Sequence, residues 1–236
     1  MQRPEPRPRV PDLTDLCEGT VTSVKAQVKD PNRVSVFLDE AFAFGLAADV
    51  AVAEGVRKGL RLTPEAQLAL LIKEEVVRAR QAALEYLSRG SKTTAEVRRS
   101  LARRGFSDAA ADDALAKMEE YGYLDDAAYA VAFARSRSSS SGHGPQRVRA
   151  DLIKKGVSRE AIERALDDLD ADDLADSARQ LAAQRWRALA SEEDLRKRKK
   201  KTTDFLLRRG FSFDQVREAV DAAANAEENA EEEDEA

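Results

Sequence analysis

The sequence is poor in the residues from which catalytic and metal sites are most often built. Its 236 residues include one cysteine, Cys17, and one histidine, His143. A single cysteine excludes an internal disulfide framework, and the lone histidine has no cluster of cysteines or histidines with which to bind zinc. Glycine patterns typical of P-loops and dinucleotide-binding turns are also missing from the sequence. We therefore expect a protein that is not an enzyme and uses no metal or cofactor.

Long apolar runs and aromatic residues are scarce as well. No stretch approaches the roughly 18 consecutive apolar residues that a membrane-spanning helix needs, and the first residues lack the apolar segment of a secretory signal. Aromatic residues make up 6% of the chain, whereas charged residues make up 35%. We expect a cytoplasmic protein without membrane contact, whose helices pack through several small cores of alanine and leucine.

Charge and proline are concentrated at the two ends of the chain. The formal charge is −5, and seven acidic residues lie between Glu227 and Glu235, so the remainder carries a formal charge of about +2. Such a run of like charges predicts a disordered acidic tail at 224–236, which we expect to compete with phosphate for basic groups. Four prolines among arginines predict a second disordered segment at 1–15.

A short signature recurs three times in the sequence. Residues 103–106, 154–157 and 208–211 each consist of two cations, a glycine and a large apolar residue. The glycines lie roughly 50 residues apart, a spacing typical of repeated supersecondary units. Apolar residues recur four positions before each glycine and six and ten positions after it. They are Leu101, Ala111 and Leu115, then Leu152, Ile162 and Leu166, then Leu206, Val216 and Val220.

These offsets predict one helix that ends at each glycine and another that begins just beyond it. Weaker apolar patterns predict a further helix before each pair. The predicted fold is mainly α, with three tandem three-helix repeats in an elongated, curved array and a small N-terminal module that contains β-strands. The predicted boundaries are 16–63 for the module and 64–124, 125–169 and 170–223 for the three repeats.

The N-terminal module is predicted from β-rich runs between Gly19 and Gly45. Thr63 and Pro64 then mark the start of a long helix, because threonine caps free amides and proline fits the first turn. This helix is expected to run into the first repeat without a flexible linker. The predicted elements of the module are a hairpin broken at 30–32, a strand at 42–44, a helix near 47–54 and a strand at 60–62.

The sequence also predicts the structure of three connections between helices inside the repeats. Thr93 and Glu96 have the spacing of a capping box. In the second repeat, the serine run 138–141 predicts a flexible turn before Gly144. In the third repeat, six successive cations at 196–201 are expected in the corresponding connection.

The basic pairs of the signature have a structural explanation that competes with a functional one. Glycine supplies a left-handed residue after a helix, and cations in the last turn complement the negative end of the helix dipole. The helices nevertheless carry more cations than capping requires. We interpret these cations as a strip that binds phosphates or an acidic protein groove, with a merely solvated face as the alternative. The candidate contact residues are Arg98, Arg99, Arg103, Arg104, Arg147, Arg149, Lys154, Lys155, Arg196, Lys197, Arg198, Lys199, Lys200, Lys201, Arg208 and Arg209.

Several blocks of the sequence resemble a known family. Two of them are the run Gly-Tyr-Leu-Asp-Asp at 122–126 and the run Gly-Pro-Gln-Arg-Val-Arg at 144–149, and further similar residues lie at 83–89 and 96–106. Together they closely resemble the bacterial RecX family, regulators of the recombinase RecA. The similarity spans about residues 75–221, and the N-terminal module resembles an extension found in some members.

The resemblance implies a non-enzymatic inhibitor that lies in the groove of the RecA filament on DNA and suppresses ATP hydrolysis, strand exchange and repressor cleavage. This function belongs to homologous recombination, DNA repair and the SOS response. The expected partners are the RecA nucleoprotein filament and single- and double-stranded DNA, and we expect a monomer. Two alternatives stay open: a general helical repeat protein that binds naked DNA, and a helical scaffold for another protein.

Overall fold

The computed structural model describes the backbone of residues 10–234 and the side chains of residues 10–227. Contacts divide the chain into two compact units, Met1–Leu124 and Asp125–Ala236. The described part is mainly helical, and none of its helices is long and apolar enough to cross a membrane. Its elements are a short 3-10 helix (Leu13–Asp15), β1 (Gly19–Gln27), β2 (Asp30–Leu38), β3 (Ala41–Ala47), α1 (Ala48–Ala53), β4 (Arg61–Leu62), α2 (Pro64–Leu87), α3 (Thr94–Arg103), α4 (Asp108–Glu120), α5 (Asp126–Ser141), α6 (Pro145–Lys155), α7 (Arg159–Asp167), α8 (Ala171–Arg187), α9 (Leu195–Arg209) and α10 (Phe213–Asp234).

The N-terminal module of the first unit is an antiparallel sheet with the strand order β3-β2-β1-β4. β1 and β2 form a hairpin in which Gln27 pairs with Asp30, so the turn consists of Val28 and Lys29. The predicted break at 30–32 is therefore wrong. These residues begin β2, because a proline is tolerated near the start of a strand. The fully exposed Val28 stands at the turn instead.

Helix α2 connects this sheet to the first set of helices. Thr63 accepts a hydrogen bond from the amide of Ala66 at 3.3 Å, which caps the helix as predicted. Farther along, the buried carboxylate of Glu74 accepts from the amide of Ala47 at 2.5 Å and pairs with Arg33 at 2.5 Å. The carboxylate therefore joins α2 to β2 and β3. The same helix then packs against α3 and α4, so the sheet and the first three-helix set share one long element.

The three signature helices α3, α6 and α9 end in the same way. Gly105, Gly156 and Gly210 all have positive φ, at 82°, 83° and 90°. The amide after each glycine donates back to the leucine carbonyl five residues earlier, which is the hydrogen bond of a Schellman motif. The apolar positions that recur at fixed offsets from the glycines are buried in all three sets. The repeated three-helix units are thereby confirmed.

The second unit contains two three-helix sets that meet end to end. The amide of Gly144, before α6, donates to the carbonyl of Arg209 at 2.8 Å, and the amide of Gln146 donates to the carbonyl of Gly210 at 3.0 Å. The free amides of one helix start thus satisfy the free carbonyls of another helix end. A Cβ on Gly144 would lie 2.4 Å from the backbone of Gly210, so only glycine fits at this contact.

Three expectations about chain segments differ from the structure. The serine run 138–141 is the last turn of α5, and the cations at 196–201 lie inside α9 instead of in a connection. Asp125 and Asp194 are the side chains that cap α5 and α9. Helix α10 continues through residue 234, where the sequence predicts disorder from 224 onward. The expectations for residues 1–9 and 235–236 lie outside the described residues.

Candidate functional site

The second cation of each basic pair is held by the fold. All three side chains are partly buried, and each contacts a group from another helix of its own three-helix set or from its own helix. All three therefore have a structural role, as the helix-capping explanation predicts. The contacts are Arg104 with the carboxylate of Glu85 at 3.0 Å, Lys155 over the ring of Tyr129 at 5.4 Å and Arg209 over the ring of Phe205 at 5.1 Å.

The first cation of each pair has the opposite surroundings. Arg103, Lys154 and Arg208 are exposed, and none of them forms an ion pair with any residue of the range 10–227. A residue with a large exposed side chain lies just before two of them: Ile153 is 60% exposed and Leu207 is 41% exposed. The signature therefore presents one unpaired charge to solvent in each set of helices.

Most of the additional cations on α3 and α6 lie beside carboxylates. Arg98 pairs with Asp112 at 2.5 Å, and Arg149 pairs with Glu163 at 2.7 Å. The hydrogen bond from Arg149 lowers the pKa of Glu163 below its usual value. These pairs are partly exposed, so they contribute little to stability and can open for a stronger anion. Arg99 is exposed and has no ion-pair partner within the described residues.

The cation run at the start of α9 is a helical surface. Lys197, Lys199 and Lys201 are exposed and pair with Asp194, Asp221 and Glu192, respectively. Arg196 and Lys200 are exposed and have no ion pair among the residues whose side chains are described. Since the run belongs to one helix, its members point in several directions, and one of them points inward.

Arg198 is that inward member, and its burial argues against the prediction that it is a contact residue. Its side chain is 6% exposed. The guanidinium donates to the carbonyl of Trp186 at 2.9 Å and to Glu227 at 2.8 Å, and it lies 4.4 Å from the centroid of the Trp186 ring. The indole nitrogen of Trp186 also donates to Glu227, at 2.5 Å. The three residues form a partly buried cluster that joins α8, α9 and α10.

Nothing in the local sequence distinguishes Arg198 from its neighbours, because the residues that bury it lie 12 and 29 positions away. The acidic character of Glu227 suggests a solvated tail, and the structure shows a packed side chain. A groove of about 640 Å³ lies between β3 and α2, and none of the predicted contact cations lines it. The candidate site is thus an exposed helical surface and not a cavity.

In the second unit, the hydrogen bonds between Gly144 and Arg209 and between Gln146 and Gly210 bring together the two helices that carry the candidate cations, α6 and α9. Arg208 and Arg209 close α9, and the first turn of α6 begins at the same point. Arg147 lies in that turn, 50% exposed, with its Nε 3.4 Å from Asp151. The contact therefore brings Arg147 of α6 next to the end of α9, where Arg208 and Arg209 lie, although the two segments are about 60 residues apart in the sequence.

Models of known protein families match the N-terminal sheet and the three sets of helices. The regulatory protein RecX N-terminal domain matches residues 19–63, and the first, second and third three-helix domains of RecX match residues 79–118, 125–166 and 171–220. The matches include the sheet and all three signature helices.

Individual relatives match over most of the chain. The regulatory protein RecX of Clostridium botulinum strain Eklund 17B is 31% identical over 208 residues, which is 88% of this chain and 97% of the relative. That of Bacillus licheniformis is 32% identical over 202 residues, covering 85% of this chain and 76% of the relative. A crystal structure of regulatory protein RecX is 26% identical, covers 86% of this chain and 98% of the other, and has a TM-score of 0.72. RecX from Lactobacillus salivarius, 23% identical, has the same fold with a TM-score of 0.60 over 64% of this chain and 98% of the other.

Proposed function

We propose, from the premise that this chain belongs to the RecX family, that it is a non-enzymatic regulator of the recombinase RecA. It binds the RecA filament on DNA and suppresses ATP hydrolysis, strand exchange and repressor cleavage. In this proposal the protein acts in the cytoplasm, in homologous recombination, DNA repair and the SOS response. The relatives carry the name of a regulatory protein, which supports a regulatory role.

The observation that carries the proposal is the unpaired first cation of each signature. Arg103, Lys154 and Arg208 recur at the same place in three helices, and no ion pair within residues 10–227 occupies them. An exposed charge at a repeated position suits a partner that is itself repetitive, such as a nucleoprotein filament with its regularly spaced phosphates and subunits. Several weak contacts held on one chain then give avidity. In this proposal the protein acts as a monomer.

The test removes these charges and leaves the fold intact. We expect the variant Arg103→Ala, Lys154→Ala, Arg208→Ala to need at least about tenfold more protein for half-inhibition of the RecA ATPase on single-stranded DNA, equivalent to about 1.4 kcal/mol of binding free energy. The matched control, Lys58→Ala, Arg164→Ala, Arg187→Ala, removes three exposed cations from other parts of the chain. Equal inhibition by both variants, or no inhibition by the unmodified protein, would contradict the proposal.

A second candidate function is general binding to naked DNA. The exposed cations on α9 favour it, because a row of lysines and arginines on one helix attracts any polyphosphate. Binding of this kind weakens steeply with salt, since it depends on the release of counterions. Affinity for the RecA filament that exceeds affinity for the same DNA without RecA, and that persists at moderate salt, would favour the regulator over this alternative.

A further inference from the structure

The loop between α5 and α6 is held rigidly by hydrogen bonds. The amide of His143 donates to the carbonyl of Arg137 at 3.1 Å, and Ser138 donates to the carbonyl of His143 at 3.3 Å. From α9, Arg209 donates to the carbonyl of Ser141 at 2.6 Å. A Cβ on Gly142 would lie 2.9 Å from Leu181, so the chain passes tightly between α8 and α9. His143 is thus fixed where α5, α6 and α9 meet.

Three arginines belong to the segments that meet at the His143 loop, and a Cβ on Gly210 would lie 2.5 Å from the Cβ of Arg147. Arg137 comes from the last turns of α5, Arg147 from the first turn of α6 and Arg209 from the end of α9. Burial lowers the pKa of His143 below its usual value, and the positive charges of the three arginines lower it further. Asp151 has the opposite effect. The charges that act on His143 are therefore mainly positive.

The guanidinium groups are ready to bind an additional anion. Arg137 is exposed, lies over the ring of Phe133 at 5.1 Å and has no ion pair within the described part of the chain. Arg147 has only the long contact to Asp151. Arg209 uses one nitrogen for Ser141 and keeps its other donors. Guanidinium groups that are fixed by aromatic rings and backbone bonds lose little freedom when they bind phosphate.

We propose that Arg137, Arg147 and Arg209 form a binding site for a backbone phosphate of nucleic acid, next to His143. The exposed Arg208 adjoins the site on α9 and Lys154 lies farther along α6. A chain of phosphates satisfies such a series of cations better than a single small anion does. The site rests on the proposed function and deepens it, since it assigns one DNA contact to named residues of the second unit. Arg137 is not among the cations that the sequence predicts to bind.

The salt dependence of DNA binding tests the site. The variant Arg137→Gln, Arg147→Gln is compared with Arg159→Gln, Arg164→Gln, which makes the same charge change at exposed positions of α7. Arg209 is left in place because it also supports the loop. For a single-stranded oligonucleotide, the slope of log affinity against log salt falls by about 0.7 for each lost phosphate contact. We expect a reduction for the first variant and almost none for the second. Equal slopes would overturn the proposal.

His143 gives an independent readout, because it is the single histidine of the chain. Its imidazole signals in NMR spectra report its pKa without assignment of any other residue. A phosphate bound to the three arginines cancels part of their positive charge and thereby raises the pKa of His143. We expect this rise on addition of a thymidine oligonucleotide. An unchanged pKa at saturation, or a rise with inorganic phosphate alone, would overturn the assignment to nucleic acid.

These measurements separate the site from the proposed function. Both use DNA without RecA, whereas inhibition of the RecA ATPase is measured on the filament. If the slope and the pKa change as expected while the unmodified protein leaves RecA unaffected, the phosphate site stands and the regulatory function falls. If the protein inhibits RecA while the slope and the pKa stay unchanged, the regulatory function stands and the phosphate site falls.

Discussion

Helices α3 and α9 end with the same signature but use their charges differently. On α3, the partly buried Arg104 pairs with a carboxylate. On α9, Arg209 instead packs on a ring and bonds to the end of α5, which belongs to another set of helices. Farther from the signature, Arg98 of α3 lies on the surface, whereas Arg198 of α9 is buried. The signature thus determines how a helix ends, and residues outside it determine which cations remain available.

The largest expected effect is at the glycine that closes α9. Gly210→Ala forces a side chain to 2.3 Å from the amide of Arg147 and into a left-handed conformation. Gly122→Ala, after α4, has a similar φ but open space around the new methyl group, so it is the matched control. We expect the control to cost about 1–2 kcal/mol and Gly210→Ala to cost at least about 3 kcal/mol. Chemical denaturation measures both. Equal losses would mean that the contact between α9 and α6 contributes nothing.

The second comparison is made within α9. Arg198→Ala removes the guanidinium that donates to the carbonyl of Trp186 and forms the ion pair with Glu227, and we expect a loss of about 3 kcal/mol in the free energy of unfolding. Lys200→Ala, two residues away on the exposed side, is expected to change it by less than about 0.5 kcal/mol. DNA binding should weaken only in the Lys200 variant when both proteins are folded. Weaker DNA binding by a folded Arg198→Ala protein would make Arg198 a contact residue after all.

The third comparison is made within the acidic end of α10. Glu227 accepts hydrogen bonds from Trp186 and Arg198, so it has a structural role. Deletion of residues 225–236 removes Glu227, and we expect it to destabilise the protein by about 1–2 kcal/mol. Deletion of 229–236 keeps Glu227 and is expected to leave the free energy of unfolding nearly unchanged. It should also strengthen DNA binding at low salt, because it removes negative charges that we expect to compete with DNA phosphates for the cations. Unchanged affinity after the shorter deletion would argue against competition by the tail.

The smallest expected effect concerns pH. The pKa of His143 is lowered in the folded protein, so the unfolded chain binds a proton more readily. The free energy of unfolding therefore falls as the pH decreases through the usual pKa of histidine, about 6.5, toward the lower folded value. His143→Gln should abolish this part of the pH dependence. Urea denaturation between pH 8 and roughly pH 5.5 measures it. If the unmodified protein and the His143→Gln variant had the same dependence of stability on pH, the lowered pKa of His143 would be contradicted.

The sequence predicts this fold well where one chain segment contains the whole signal. The Schellman ends, the capping box at Thr93 and the cap at Thr63 each lie within a few residues, and the structure contains all three. The sequence analysis places the hairpin turn at 30–32 because proline usually interrupts a strand. In the structure, Pro31 lies near the start of β2, where a strand tolerates proline, and the turn comes earlier. The serines at the end of α5 are also predicted wrongly, as a flexible turn. Their local composition does not show that they continue a helix whose Ala130 and Ala134 are packed in the core.

The candidate site is predictable only in part. The exposed cations follow from charge and repeat spacing, but their availability depends on partners from distant segments. Arg198 is buried by Trp186 and Glu227, and Arg137 joins Arg209 across 72 positions of the chain by way of the His143 loop. Which cations are exposed can therefore be decided only from the tertiary packing, because the residues next to them in the sequence do not indicate it.

The bond between the amide of Gly144 and the carbonyl of Arg209 has a consequence for synthesis on the ribosome. The start of α6 is translated long before the end of α9, so its free amides stay in contact with water until the third set of helices has emerged. The middle set therefore acquires its final N-terminal hydrogen bonds only after residue 210 has left the exit tunnel. Completion of one repeat thus waits for the translation of the next.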